Sequence, residues 1–350
     1  MNTESLIGTV VAVQANFYQV RLDVKNTDYS CSSLLCVRRA RLKKIGQNIM
    51  VGDRVIIEEP DWLGNRGAIA EVLPRESELD RPPIANVNQI IIVFAMAEPT
   101  IEPDNLSKFL VKAESTGLEV NVCLNKCDLV SDEEIKKWEE RLKGWGYDPI
   151  FISVNNLIGI DELKERLNNK ISILAGLSGV GKSSLINHLI PELNIRVSEV
   201  SGKLSKGRHT TRHVELFALP TGGLIADSPG FNQPDLDCSP EELGNYFPEV
   251  RERLKLGKCQ FNDCSHRDEP NCIIRGDWDR YEHYITLVEE AKLRQKQLKE
   301  KGEIESSLKV KNTGKGKTKL EPKLEAKKYR RIARKTQLQD LQQLYDEDDM

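Results

Sequence analysis

Two hydrophobic periods divide this chain. Up to about residue 82, short β-branched runs stand between turn-rich segments. The runs are Ile7–Val13, Phe17–Val24, Ser32–Val37, Asp53–Glu59 and Gly67–Leu73, and Asp61–Gly67 is one of the turn-rich stretches. Five short strands in so little chain predict a small all-β barrel of the OB-fold type over 1–82. Arg81-Pro82-Pro83 reads as a linker. Beyond it the pattern changes to apolar strands alternating with helical stretches. Strands are expected at 90–96, 119–125, 149–154, 171–175 and 223–227, and helices near 105–114, 132–143 and 159–167 and from Lys182 onward. That rhythm predicts a parallel α/β sheet covered on both faces over 83–236. Residues 237–300 hold helical stretches and few β-branched runs, and predict a small helical domain.

Composition alters this picture mainly at the end of the chain. Residues 291–350 carry 17 Lys/Arg against 10 Asp/Glu, a net of +7, so the first 290 residues carry −10. Residues 302–328 are rich in Lys, Gly, Ser and Thr and poor in apolar residues, which predicts a basic tail without regular structure over 301–350. Tyr329–Tyr345 could become a basic helix on binding. A second basic run, with Arg38, Arg39, Arg41, Lys43 and Lys44, lies between the third and fourth strands. A solvated loop accounts for it as well as a nucleic-acid contact does, and exposed aromatics such as Trp62 leave both readings open. The longest apolar run, Ile90–Ala97, falls far short of the ~18 residues that span a membrane. No signal-peptide pattern opens the chain, so a cytoplasmic protein without membrane attachment is expected.

The strongest chemical signal is Gly176-Leu177-Ser178-Gly179-Val180-Gly181-Lys182-Ser183, a match to G-x-x-x-x-G-K-[ST] between a predicted strand and a predicted helix. Its glycines let backbone N–H groups wrap phosphates, with Ser184 continuing into the helix. Lys182 would reach the β- and γ-phosphates, and the Ser183 hydroxyl would ligate Mg²⁺. The base is specified elsewhere. Asn125-Lys126-Cys127-Asp128 follows a strand, and a carboxylate there can accept two hydrogen bonds from guanine N1–H and its 2-amino group. Adenine would leave that carboxylate unpaired. Lys126 would lie over the base, and the segment beginning at Ser153 would offer a backbone N–H to guanine O6. Asp227-Ser228-Pro229-Gly230 would hold Mg²⁺ through water at Asp227 and the γ-phosphate at the Gly230 N–H. Between these motifs, Lys206–His213 contains Thr210 and Thr211, either of which could bind the Mg²⁺ of GTP. The order is permuted, because the base motifs precede the phosphate loop.

Cys259, Cys264, His266 and Cys272 give C-x₄-C-x-H-x₅-C. Three thiolates and one imidazole complete a tetrahedral zinc site with no open position, which predicts a single structural ion. Cys31, Cys36, Cys123, Cys127 and Cys238 have no spacing partners and read as reduced thiols.

With these motifs the chain resembles the ribosome small-subunit-dependent GTPase A family, the circularly permuted GTPases. The segments carrying the resemblance are NKCD, GLSGVGKSS, DSPGF and CQFNDCSHRDEPNC. It implies an OB-fold barrel, a GTPase stimulated by the small ribosomal subunit and its rRNA, and a role in late maturation of that subunit. The long basic tail has no counterpart in the pattern. GTP and GDP are the expected ligands, and a monomer is the expected state. The residue after the DxxG glycine is Phe231, which cannot orient water. The resemblance to GTPases with an apolar residue there points to the first switch, where His209 is the leading candidate. Two rival readings are an RNA-binding protein in which nucleotide only stabilises the fold, and an adenine-nucleotide enzyme, which NKCD disfavours.

Overall fold

The computed structural model describes residues 6–26, 31–80, 82–193, 214–227, 238–261, 264–267, 269–304, 308–313 and 317–322. The chain divides into two compact units, 1–289 and 290–350. No helix among the described residues is long and apolar enough to cross a membrane.

The first unit opens with strands β1 (Leu6–Gln14), β2 (Phe17–Asn26) and β3 (Cys31–Arg38), helix α1 (Ala40–Lys44), then β4 (Arg54–Asp61) and β5 (Arg66–Val72). The five strands close in the order β1-β2-β3-β5-β4, with β4 returning to β1. That is the OB-fold topology expected from the alternation. Val10, Val20, Leu34, Cys36, Val55 and Ile69 point inward and have no exposure. The basic run expected as a loop is partly helical. Leu42 on α1 is buried among the barrel residues, so one apolar position in a charged segment recruits a turn of helix as a plug.

The expected linker also carries structure. Strands β6 (Glu78–Asp80) and β7 (Pro83–Ala85) pair as a small antiparallel ribbon. The barrel is fastened to it at Gly52, where a Cβ would stand 1.9 Å from the Ala85 carbonyl oxygen and φ is +90°. No side chain fits there. Asn86 Nδ2 donates to the Gly52 carbonyl at 2.9 Å, and the buried Asp53 carboxylate takes Arg75 Nε at 2.7 Å.

The α/β layer follows in chain order: β8 (Gln89–Ala95), α2 (Pro103–Glu114), β9 (Glu119–Asn125), α3 (Asp132–Gly144), β10 (Ile150–Phe151), α4 (Ile160–Leu167), β11 (Ile171–Ala175), α5 (Lys182–Leu189), β12 (Leu216–Ala218) and β13 (Leu224–Asp227). The sheet order is β10-β9-β8-β11-β13-β12, and only β12 runs antiparallel to its neighbour. The apolar run of the sequence is the central strand. Ile90, Ile92 and Phe94 join one core with α2 and α3, and Ile91, Val93 and Ala95 join the other with α4 and α5. Burial on both faces removes any need for polar alternation. At the foot of the sheet, Gln89 Nε2 donates to Ser172 Oγ at 2.8 Å, and Asn121 Nδ2 donates to Gln89 Oε1 at 3.0 Å. These buried bonds tie β9, β8 and β11 into one register.

The C-terminal helical region contains α6 (Pro248–Leu256) and α7 (Tyr281–Ile304). Its core of Leu243, Phe247, Val250, Ile274, Tyr284 and Val288 includes Val111 from α2, so it is continuous with the α/β layer. The first compact unit closes at residue 289. Within the second unit, β14 (Leu308–Thr313) pairs with β15 (Lys317–Pro322), with Val310 opposite Leu320. Composition predicted no regular structure there. The alternation of Lys309 and Lys311 with Leu308 and Val310 has the strand period, and the structure follows it. Tyr329–Tyr345 lies outside the described residues.

Candidate functional site: nucleotide cradle and metal centre

The sheet defines where a ligand can sit. From β8 the chain proceeds outward to β9 and β10, then crosses to β11 on the other side of β8. The β8/β11 boundary is thus a topological switch point, with its crevice at the carboxyl ends of the strands. The loop Gly176–Gly181 leaves β11 at that point and turns into α5. Gly176, Gly179 and Gly181 have φ of +141°, +85° and +97°, in the region that favours glycine. A Cβ on Gly176 would lie 2.1 Å from the Val93 carbonyl oxygen, and one on Gly181 would lie 2.3 Å from Asn125 Nδ2. Lys182 is buried, and its ammonium donates to the Gly176 and Leu177 carbonyl oxygens at 2.8 and 2.7 Å. Ser178 and Gly179 are exposed, Val180 is buried, and Ser183 and Ser184 are half-buried on the first turn of α5. The first-turn N–H groups of a helix have no intrahelical partner, so this end suits an anion.

The base motif stands two strands away and is bonded to this loop. Asn125 ends β9, and its Nδ2 donates to the Val180 carbonyl at 2.9 Å while its Oδ1 accepts from Lys126 N at 2.8 Å. Asn125 is therefore a brace between the two motifs. Lys126 adopts φ +59°, and its ammonium donates to the Glu98 carbonyl. The Glu98–Pro99 segment after β8 also approaches Gly179, at 3.8 Å from Pro99 Cδ to a Cβ placed there. It forms a third wall that the motifs did not reveal. Cys127–Leu129 make one turn of 3-10 helix, with Asp128 half-buried. Burial pushes the Cys123 and Cys127 thiols up, so neither is a thiolate near neutral pH. The Ser153 N–H is committed to the Ile158 carbonyl at 3.0 Å, and its Oγ accepts from Asn156 N at 3.1 Å. A donor toward a ligand must therefore come from Val154 or Asn155 in the turn that Ser153 closes.

Asp227 ends β13 beside Leu174 of β11, which brings its backbone next to the phosphate loop. Thr210, Thr211, His209, Gly230 and Phe231 lie outside the described residues.

The second centre lies before α7. The ligand atoms of Cys259, Cys264, His266 and Cys272 all fall within 4.8 Å of one another. Cys259 Sγ and Cys272 Sγ are 3.8 Å apart, and each is 3.5 Å from His266 Nδ1. A tetrahedral ion at about 2.3 Å from sulfur and about 2.0 Å from nitrogen imposes separations of about 3.8 and 3.5 Å. A disulfide would need about 2.05 Å. The four residues thus fit one tetrahedral metal ion. Their backbone is held from outside: Tyr281 OH donates to the His266 carbonyl at 3.0 Å and Tyr284 OH to the Ser265 carbonyl at 2.9 Å. Glu269 accepts from Ser265 N and Arg267 N, both at 2.8 Å.

Known proteins are similar to this chain. The family described as RsgA GTPase matches residues 72–237. Small ribosomal subunit biogenesis GTPase RsgA 1 of Nostoc sp. (strain PCC 7120) is 61% identical over 365 residues, covering 99% of both chains. The chain belongs to the RsgA GTPase family. Like its relatives it is a P-loop GTPase, an enzyme of GTP hydrolysis with its motifs in permuted order. Among solved structures, YjeQ from Thermotoga maritima is 35% identical with a TM-score of 0.68, covering 82% of this chain and 98% of that one. YloQ, described as a circularly permuted GTPase, is 30% identical with a TM-score of 0.68, covering 84% and 97%.

Proposed function

We propose that this chain hydrolyses GTP to GDP and phosphate as a late maturation factor of the small ribosomal subunit, and that contact with the subunit and its rRNA stimulates it. The observation that carries the reading is the end-to-end similarity to a small ribosomal subunit biogenesis GTPase, 61% over 99% of both chains. Gly176–Ser184 wrap the phosphates with backbone N–H groups, and Lys182 leaves its loop carbonyls for the β- and γ-phosphate oxygens. Mg²⁺ accompanying the nucleotide would be held by Ser183, Asp227 and Thr210 or Thr211 and would supply neutralisation of the phosphate charge. Asp128 reads the guanine N1–H and 2-amino group, Lys126 covers the base, and Asn125 keeps the base loop in register with the phosphate loop. Gly230 meets the γ-phosphate, and His209 orients the attacking water because Phe231 cannot. The metal of the cysteine–histidine cluster is a structural zinc ion, since four protein ligands leave no open position. The protein works as a cytoplasmic monomer.

The deciding experiment is GTP turnover by the full chain with and without purified small subunits. Slow intrinsic turnover that rises at least tenfold with subunits is expected. Equal rates in both conditions would refute the stimulated reading, and equal affinity for ATP and GTP would refute the guanine reading.

A further inference from the structure

The two loops assigned to guanine grow from opposite ends of one segment. Cys127–Leu129 leads through the N-cap Ser131 into α3, and the chain after α3 returns through β10 to Ser153. β10 has only two residues, and its ladder with β9 consists of Ile150 opposite Cys123 and Phe151 opposite Leu124. An edge strand this short supplies too few ladder bonds to fix a loop by itself. Beyond the ladder, Ile152 N donates to the Leu124 carbonyl at 2.8 Å and Cys127 N to the Ile152 carbonyl at 3.1 Å, and a further restraint acts on the chain just before β10, Arg141–Tyr147.

That stretch is gripped by the C-terminal helical region. Trp145 Nε1 donates to the Asp279 carboxylate at 2.7 Å, and Arg141 NH2 donates to the same carboxylate at 2.9 Å. Arg280 has no exposure. Its guanidinium carbon lies 4.8 Å from the ring centroid of Trp145 and 4.8 Å from that of Phe247, with Tyr147 at 5.7 Å. Its Nε donates to Glu249 at 2.7 Å, while its NH1 has no hydrogen-bond partner among the described residues. A cation held this dry depends on its one carboxylate and on the ring faces, so it fixes the rings as firmly as they fix it. Tyr147 OH donates to Glu114 at 3.0 Å, and Glu114 also takes Arg251 at 2.8 Å. Asp279 and Arg280 immediately precede α7, whose Tyr281 and Tyr284 hold the backbone of the cysteine–histidine cluster. One continuous set of contacts therefore runs from the cluster, through the start of α7, to Trp145 and the base loops.

We propose that Arg280, aided by Asp279, is a positioning residue for the guanine site. It holds Arg141–Tyr147 in place, so that a metal-loaded cluster and guanine nucleotide favour one another. This rests on the GTP reading given above. The base-binding half of the site is thus braced from the C-terminal region as well as through Asn125.

The test uses the full chain with its metal. Arg280→Lys keeps the charge but loses the planar stack and the paired bonds to Glu249. Asp279→Asn removes a partly exposed carboxylate and tolerates folding if the first variant does not. Arg75→Lys, at the barrel junction, is the control for general destabilisation. The readouts are the affinity for a fluorescent GDP analogue, KM and kcat for GTP, and metal content. Both test variants should weaken GDP binding and raise KM by about fivefold or more, with kcat and metal content kept, while Arg75→Lys changes neither affinity nor KM. Linkage is reciprocal, so GDP should slow metal transfer to a chromogenic chelator in the wild type and lose that effect in Arg280→Lys. Unchanged GDP affinity in both test variants, or metal transfer indifferent to GDP in the wild type, would overturn the proposal. A wild type that binds no GDP at all would instead overturn the underlying reading.

Discussion

Asn125 sits where the base loop and the phosphate loop meet, and Asn125→Ala isolates that joint. The substitution removes two hydrogen bonds, to the Val180 carbonyl at 2.9 Å and from Lys126 N at 2.8 Å. Val180 has no exposure, so water cannot replace the amide and its bare carbonyl costs about 1–3 kcal/mol. The half-buried Lys126 N–H can reach water and adds about 0.5–1 kcal/mol. The total of about 1.5–4 kcal/mol converts to a fall in Tm on the order of 3–7 °C for a unit of this size. GDP affinity should fall with it, by about tenfold, because the two halves of the cradle lose their mutual register. Asn125→Asp sharpens the experiment. It keeps the acceptor for Lys126 N but turns a carboxylate oxygen toward the Val180 carbonyl, so it should melt no higher than Asn125→Ala despite near-identical shape. Thermal melts and GDP titrations of the three proteins check this. Wild-type melting of either variant, within about 1 °C, would refute the assignment of Asn125 as the brace.

Asp128→Asn should weaken GTP binding at least tenfold in calorimetric titration and leave the weak ATP binding unchanged, because only guanine donates two bonds to the carboxylate. Protein purified without chelators should contain one zinc per chain by elemental analysis, and Cys264→Ser should abolish it and lower the Tm. His209→Ala should retain GTP affinity and subunit binding while stimulated turnover collapses, and intact turnover would remove His209 from the mechanism. Burial works against the Asp279 carboxylate, but bonds from Arg141 and Trp145 outweigh it and hold this carboxyl below the ordinary range. Its contribution to stability is therefore complete above the unfolded value of about 3.9 and lost as pH falls through the lower folded value. Melting curves of Asp279→Asn should accordingly converge on those of the wild type in strong acid, separate as pH rises through the lowered folded value, and keep a constant separation above about pH 4.

The parts of the fold that were legible are those whose cause is local. Ile90–Ala97 announced a strand buried on both faces, and the phosphate loop announced the strand and helix beside it, because the motif works only between them. The five barrel runs fell at the five strands, since alternation is the direct imprint of one wet face and one dry face. What stayed hidden depends on residues far apart in the chain. Arg280 looks like any cation before a helix, and nothing in its neighbourhood names Trp145 or Phe247 as its ring partners. The motif marks Asn125 for the base site, but its contact to Val180 across the sheet is invisible in four residues. The plug at Leu42 and the ribbon at β6 and β7 are hidden in the sequence because charge and proline dominate segments that hold only single apolar positions. Glu98 was missed because it contributes a backbone carbonyl, which every residue possesses.

The permuted order is also an order in time. Translation delivers β8, β9 and β10 before β11, and Ser172 must find Gln89, 83 residues upstream. At about 5–20 residues per second that gap lasts roughly 4–17 s. During it, the most apolar strand of the chain has one side unpaired, which is the arrangement that invites wrong strand partners. In the conventional order the phosphate-loop strand is made first and waits for the base half. Here the base loops wait, on a half-sheet with no phosphate cradle. A nascent chain stalled before residue 171 should therefore be indifferent to GTP, and nucleotide can act as a folding ligand only once the last-made half of the sheet has docked.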